Sequence, residues 1–359
     1  MKVTGLEVSA YTFPTPEPEA DGTLEWKATT AAVVQVHAGD VTGLGWTYTS
    51  PATTAIVRDH LVDQVVGRDC EDITGCFDAM RCGCRNLGTK GLVMHAISAV
   101  DVALWDLKAR VHGLSLPALL GAVRDSVPVY GSGGFTTMSD EQLAEQIAGW
   151  RTLGCTAMKI KIAESWGGNV SRDLDRVGQL REQSGDGVEI MVDANGGYSR
   201  GQAHRVGAAL DDLGVVWFEE PVSSDDIEGL GVVRSALRCD VSAGEYAADV
   251  YDVERLCGVV DCIQLDATRC GGYTGFLHGA AIAAAHNLEV SAHCAPALHA
   301  PVTAATANLR HIEYFADHAR LEPLLFEGVP SVSDGLIRAN TSEGHGLALS
   351  PDATQWLTE

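Results

Sequence analysis

The chain has 359 residues, 46% apolar and 20% charged, a composition that can bury a core and is too apolar for a disordered segment. Its 25 basic and 48 acidic side chains leave a formal charge of −23, which repels phosphate backbones and anionic lipid headgroups and excludes nucleic-acid and membrane partners as working readings. No apolar run reaches the ~20 residues that span a bilayer, and the amino terminus lacks the apolar stretch of a secretory signal, so a cytoplasmic protein is expected.

Residues 1–125 read as a small α+β unit. KVTGLEVSAYTF and TTAAVVQVHAG alternate like strands, with an acidic, proline-rich loop at 14–26 between them. GLGWTYTS reads as a loop whose Trp46 and Tyr48 would give a substrate an aromatic wall with indole and hydroxyl donors. Cys70, Cys76, Cys82 and Cys84 contain no Cys-x-x-Cys pair, which argues against structural zinc, and all ten cysteines are expected to be reduced. From Leu92, LVMHAISAVDVALWDLKARVHG has helical spacing and stops at Gly113.

Beyond Val127 short β-branched runs alternate with helical stretches such as EQLAEQIAGWRTLG and GFLHGAAIAAAHN. Seven or eight such units in about 200 residues predict a closed parallel barrel over 126–325. GSGG at 131–134 lacks the spacing of a dinucleotide fingerprint and reads as a strand-to-loop turn, so no nicotinamide or flavin is expected.

The buried-looking strands end in residues that do not belong in a core: Lys159 and Lys161, then Asp193 and Asn195, Glu219 and Glu220, Glu245, Asp266, His293 and Glu313. They follow one another at 20 to 32 residues, the length of one strand–helix unit. One such carboxylate is ordinary in an acidic protein; the series marks the carboxyl end of a barrel as a site. The chain has only six lysines, and two of them share one face of AMKIKIA. Like charge and burial are expected to depress both toward neutrality, which makes a general base. Asp193, Glu219 and Glu245 would meet as three oxygen ligands, a set that suits Mg²⁺ better than Zn²⁺. On a regular strand only one of Glu219 and Glu220 can face inward. Asn195 shares the face of Asp193 and could contact substrate, and Asp266 could orient and charge His293.

Lys159-Ile160-Lys161, VDAN at 192–195, FEEP at 218–221, GE at 244–245, LDATRCGG at 265–272, His293 and Glu313 together resemble the enolase superfamily, mandelate racemase subgroup. AISAVDVALWDLKARVHGLSLPALLGA at 96–122 resembles the end of that family's capping domain. The resemblance implies a modified (β/α)₇β barrel with an α+β capping domain, residues 1–125, completed by the tail 326–359. It implies one Mg²⁺ on Asp193, Glu219 and Glu245, with Lys161 as a base on one substrate face and Lys159 tuning it. His293, held by Asp266, would be the acid/base on the other face, and Glu313 would hydrogen-bond the substrate carboxylate. It also implies a homo-oligomer, from dimer to octamer. No lysine follows Lys161, which excludes the muconate-lactonizing arrangement with a lysine after the sixth strand.

These parts predict removal of the proton next to a substrate carboxylate through an enediolate. Loss of a β-hydroxyl then gives a 2-keto-3-deoxy acid, the expected outcome for a sugar-acid dehydratase. Reprotonation on the other face would make a racemase or epimerase of an α-hydroxy acid, and a non-catalytic binding barrel is the remote alternative. The acidic segment 14–26 should lie over the far end of the substrate, which favours a monocarboxylic sugar acid over a diacid.

Overall fold

The computed structural model describes residues 1–358 and opens with an antiparallel sheet of β1 (Gly5–Ala20), β2 (Glu25–Ala38) and β3 (Val41–Tyr48). The segment expected to be a loop at 14–26 is mostly strand. β1 pairs with β2 as far as Pro14, loses register, and pairs again at Glu19 and Ala20. Prolines 14, 16 and 18 have no N–H to give to a ladder, so the strand bulges there without ending. Only Asp21–Leu24 is left as a turn.

GLGWTYTS is also strand. Its glycines weaken the strand signal, yet packing demands them. The long helix Leu92–Val111 lies against β3, and a Cβ at Gly43 or Gly45 would sit 2.2 Å from the carbonyl oxygen of Ala103 or Ala99. The helix is apolar almost all round because sheet and barrel cover opposite sides of it. Lys108 and Arg110 complement its last turn, and Gly113 closes it at a positive φ of 64°.

Eight parallel strands then form the barrel: β4 (Val127–Gly133), β5 (Ala157–Lys161), β6 (Glu189–Asp193), β7 (Val215–Glu219), β8 (Asp240–Ala243), β9 (Cys262–Leu265), β10 (Glu289–Ala292) and β11 (Leu309–Phe315). Pairing of β11 with β4 closes it. GSG of the GSGG run belongs to β4 itself, and the turn begins only at Gly134. Helices run outside between consecutive strands, and one more, Ala316–Leu325, leads away from β11. The chain after it returns twice. Leu336–Ile337 pairs antiparallel with the foot of β4, while His345 N–H donates to the buried Asp106 of the long helix at 2.8 Å. No helix among the described residues is long and apolar enough to cross a membrane.

The contact of β3 with the long helix has no spare volume, so Gly45→Ala should lower stability by about 1–3 kcal/mol. Thermal unfolding measures it; an unchanged midpoint would show that strand and helix separate without cost.

Candidate active site

Side chains at every second strand position point into the lumen. Tyr130, Ala157, Met191, Trp217 and Cys262 plug its lower part. Two residues further along each strand the character changes to Ser132, Lys159, Asp193, Glu219 and Gln264, all fully buried. Strand parity thus carries Trp217 to Glu219, and the buried plug gives the polar layer an apolar floor.

Lys159 is the hub of that layer. Its ammonium donates to Glu219 at 2.7 Å and Tyr130 at 3.2 Å, and it ion-pairs with Glu313 at 2.8 Å. Lys161 donates to Asp193. Glu219 also accepts from Trp217 Nε1 at 2.9 Å and Gln264 Nε2 at 3.0 Å. The expected depression of the two lysines is reversed. Burial lowers both, and Lys159 lowers Lys161 further, but the charges of Asp193, Glu219 and Glu313 outweigh these effects, so both ammonium groups stand well above the ordinary lysine range.

Glu220 also enters the site, against the expectation that only one of the adjacent glutamates can. Its φ of 38° turns the backbone off the strand just after Glu219, and its buried Oε1 has no partner. Burial, then the charges of Glu245, Asp193 and Glu219, push it well above the carboxylate range. Burial also lifts Glu219, to about 8. Asn195 likewise leaves strand parity, at φ 45°, and its unpartnered Oδ1 lies beside the pocket.

Across the lumen, His293 follows β10. Its Nδ1 lies 2.8 Å from Asp266 Oδ2, an orientation that leaves Nε2 facing the pocket. Burial alone would lower this imidazole, but Glu245 and Asp266 outweigh it and raise it. Arg269, in the quoted LDATRCGG run but given no role there, donates to Glu245 at 3.0 Å and ion-pairs with Asp266 at 3.4 Å. Burial opposes charge on Glu245, yet His293, Arg269 and Lys161 hold it down at about 2. Glu313 accepts from Ser132 at 2.6 Å and from the Cys294 N–H at 3.1 Å, and despite burial Lys159 and His293 keep it well below the ordinary range. So held, Glu313 is an acceptor, and donation to a substrate carboxylate requires a proton on it.

The cap closes the mouth. Thr136 N–H donates to the Ala20 carbonyl at 2.8 Å, and Gly22 lies so close to the rim that a Cβ would meet the Ile162 oxygen at 2.5 Å. Asp21, Trp26, Thr29, Tyr48 and Asp317 line the outer pocket. Tyr48 stacks on His318 at 3.5 Å between centroids, and its hydroxyl is unpartnered. Trp46 is not part of this wall. It lies in the core, 4.4 Å from the Phe326 ring, because two residues of strand carry it too far back to reach the mouth.

Asp193, Glu219 and Glu245 each place a carboxylate oxygen within 4.8 Å of the others. Among the described residues, and set apart from Asp317, which pairs with Arg320, the six buried carboxylates of the strand ends (those three, Glu220, Asp266 and Glu313) face four groups that can be positive: Lys159, Lys161, Arg269 and His293. Full ionisation leaves the cluster two positive charges short, the charge of one divalent cation. The orphaned Oε2 of Glu245 and Oε1 of Glu220 point to the same deficit. An all-oxygen donor set fits Mg²⁺.

Comparison with known proteins agrees. Residues 142–353 match the family model described as enolase C-terminal domain-like, and 10–121 match the mandelate racemase / muconate lactonizing enzyme N-terminal domain. The chain belongs to the mandelate racemase/muconate lactonizing enzyme family of the enolase superfamily. It is 32% identical over 320 residues to L-talarate/galactarate dehydratase of Salmonella typhimurium, covering 88% of this chain and 79% of that one. The structure of that enzyme liganded with Mg and L-lyxarohydroxamate superposes with a TM-score of 0.93 at 29% identity, over 100% of this chain and 93% of that one. A mandelate racemase/muconate lactonizing enzyme-like protein from Rubrobacter xylanophilus reaches 0.96 at 42% identity, over the whole of both chains. As a member of this family the protein is an Mg²⁺-dependent enzyme.

With metal chelated, Glu219 and Glu220 hold protons in the fold that the unfolded chain has released, so stability should fall as pH rises from about 7 to 9, where unfolded carboxyls and histidines no longer titrate. Saturating Mg²⁺ should flatten that slope and raise the melting temperature, and Glu245→Gln should abolish the rise. Thermal melts across pH with chelator or Mg²⁺ measure it; equal slopes in both would refute the charge deficit.

Proposed function

We propose that this enzyme removes the proton next to the carboxylate of a sugar acid and expels the β-hydroxyl, giving a 2-keto-3-deoxy acid. The observation that carries it is the pair Lys161 and His293, on β5 and after β10, facing one pocket from opposite sides of a carboxylate-lined mouth. Asp193, Glu219 and Glu245 would hold the metal. When bound, it supplies positive charge against the substrate carboxylate and takes up the carboxylate charge that otherwise keeps Lys161 protonated.

The chain's own groups do the rest. Lys161 Nζ takes the α-proton, with Lys159 setting its charge environment. His293, charged by Glu245 and Asp266, carries a proton on Nε2 and gives it to the departing hydroxyl, which leaves as water. Glu313 and Asn195 border the substrate's carboxylate end, and the apolar plug and the cap keep bulk water away. The same pair can instead return a proton to the opposite face, so racemisation is the second reading.

The outer pocket decides the substrate's other end. Asp21 accepts from the Leu24 N–H of its own turn at 2.8 Å, Thr29 donates to Asp317, and Trp26 Nε1 donates to Glu19 at 3.0 Å. The cations on the pocket wall, Lys161, Arg269 and His293, all lie at the metal end and are already paired with carboxylates. A second substrate carboxylate would face Asp21 and Asp317, whereas neutral hydroxyls would meet Thr29, Thr49 and the free Tyr48 hydroxyl. We therefore assign a monocarboxylic sugar acid, unlike the diacids in the name of the Salmonella relative. Ten free cysteines, nine of them buried, support a cytoplasmic location, and the family supports assembly into homo-oligomers, which light scattering would size.

In deuterated water, Lys161→Ala and His293→Asn should each still exchange the α-proton of one substrate antipode. Loss of all exchange in both would refute two separate bases. For aldonates, kcat/KM should exceed that for the matching aldarates by at least about tenfold, the worth of one unpaired charge contact; a preference for the diacid would refute the assignment, and exchange without keto acid would mark a racemase.

A further inference from the structure

Beside the oxygen triad lies a second cluster of a different chemical kind. His293 Nε2 and Cys294 Sγ are 3.2 Å apart, Cys294 Sγ and Glu313 Oε2 3.4 Å, and His293 Nε2 and Glu313 Oε2 3.8 Å. All three side chains are buried, and Cys294 lines the substrate pocket. Zinc bonds of about 2.0–2.1 Å to nitrogen, 2.3 Å to sulfur and 2.0–2.2 Å to oxygen put tetrahedral ligand atoms roughly 3.3–3.6 Å apart. The cluster already has nearly that spacing.

Two neighbours complete it. Asp266 accepts at His293 Nδ1, which fixes Nε2 as the free nitrogen in the manner of a carboxylate–histidine–metal relay. Glu245 Oε2 is buried, has no hydrogen-bond partner and lies 3.4 Å from Nε2, between this cluster and the oxygen triad, where one oxygen can bridge the two sites. Imidazole plus thiolate is a donor set for zinc and its soft relatives, and one that Mg²⁺ avoids. The sequence signal is faint, because the ligands are the adjacent pair His293-Cys294 and a glutamate on the next strand, with no Cys-x-x-Cys spacing.

We propose that His293, Cys294 and Glu313 form a second metal site, for a thiophilic divalent cation of the zinc type, whose occupation switches the enzyme off. On binding, the Cys294 thiol and the Nε2 of the His293 imidazolium each release a proton to solvent; the sulfur forms the metal–sulfur bond and Nε2 gives the freed lone pair to the metal. That lone pair is then lost to proton transfer. The inhibitory consequence rests on the reading of His293 as an acid/base; the site itself does not.

Cobalt(II) is the probe, added to the full chain in excess Mg²⁺. The expected result is an intense near-ultraviolet thiolate-to-cobalt charge-transfer band with tetrahedral visible bands, removed stoichiometrically by zinc. The band should persist in Asp193→Asn, which removes a ligand of the oxygen triad and none of this cluster, and vanish in Cys294→Ser. Zinc should inhibit the wild type in excess Mg²⁺, with a half-inhibiting concentration at least about tenfold higher in Cys294→Ser. Absence of the band in the wild type, or its survival in Cys294→Ser, overturns the site, and the wild-type spectrum decides alone if that variant fails to fold. A band that zinc removes without inhibition keeps the site and overturns the role of His293.

Discussion

The structure turns on a charge deficit held in a dry place. Six carboxylates of the strand ends crowd the carboxyl end of the barrel around four groups that can be positive, above a buried plug of Tyr130, Met191 and Trp217, so they are screened only from the mouth. Isolated charges there would protonate or unfold the barrel, so each existing pair matters: Lys159 with Glu219 and Glu313, Arg269 with Glu245 and Asp266. Burial and the surrounding like charge accordingly push Glu219 and Glu220 above the ordinary carboxylate range. A divalent cation removes it, which ties metal binding, lysine basicity and fold stability to one quantity.

The long cap helix holds the histidine side of that cluster in place from outside. Asp101 accepts from the Thr274 N–H at 3.0 Å and its hydroxyl at 2.6 Å, and Ser98 accepts from the Gly271 N–H at 2.9 Å. These three bonds grip the segment just after Asp266 and Arg269. Burial pushes the Asp101 carboxyl up to about 7, so this contact works with or without its charge. The helix that supports β3 on one side therefore positions the partners of His293 on the other.

The barrel and its ionic layer were legible in the sequence because each strand is a short apolar run ending in a residue that has no business in a core. Lys159, Lys161, Asp193, Glu219, Glu245, Asp266, His293 and Glu313 do converge. What escaped was set by tertiary contact. β3 hides behind Gly43 and Gly45, whose absent side chains make room for the helix Leu92–Val111, a contact that local sequence does not reveal. Strand parity misjudged Glu220 because it sits at a left-handed φ just past a strand end; Asn195 reaches the pocket as expected, by a left-handed φ of its own. Trp46 and Tyr48 share a face, but only the residue nearer the mouth meets the pocket. The lysine charge state needed distances to carboxylates on other strands, which no spacing supplies.

The bulge in β1 has a consequence for how such an enzyme changes over time. Between Pro14 and Glu19 the ladder is already interrupted, so residues can be added or removed there without shifting the pairs that precede it. The hairpin tip that carries Asp21 and Trp26 thus joins the sheet through an unbroken β2 and an interrupted β1, while Gly22 keeps it docked on the rim. Substrate choice is free to drift by small edits at one slack point, and the proton chemistry on the barrel strands is left undisturbed.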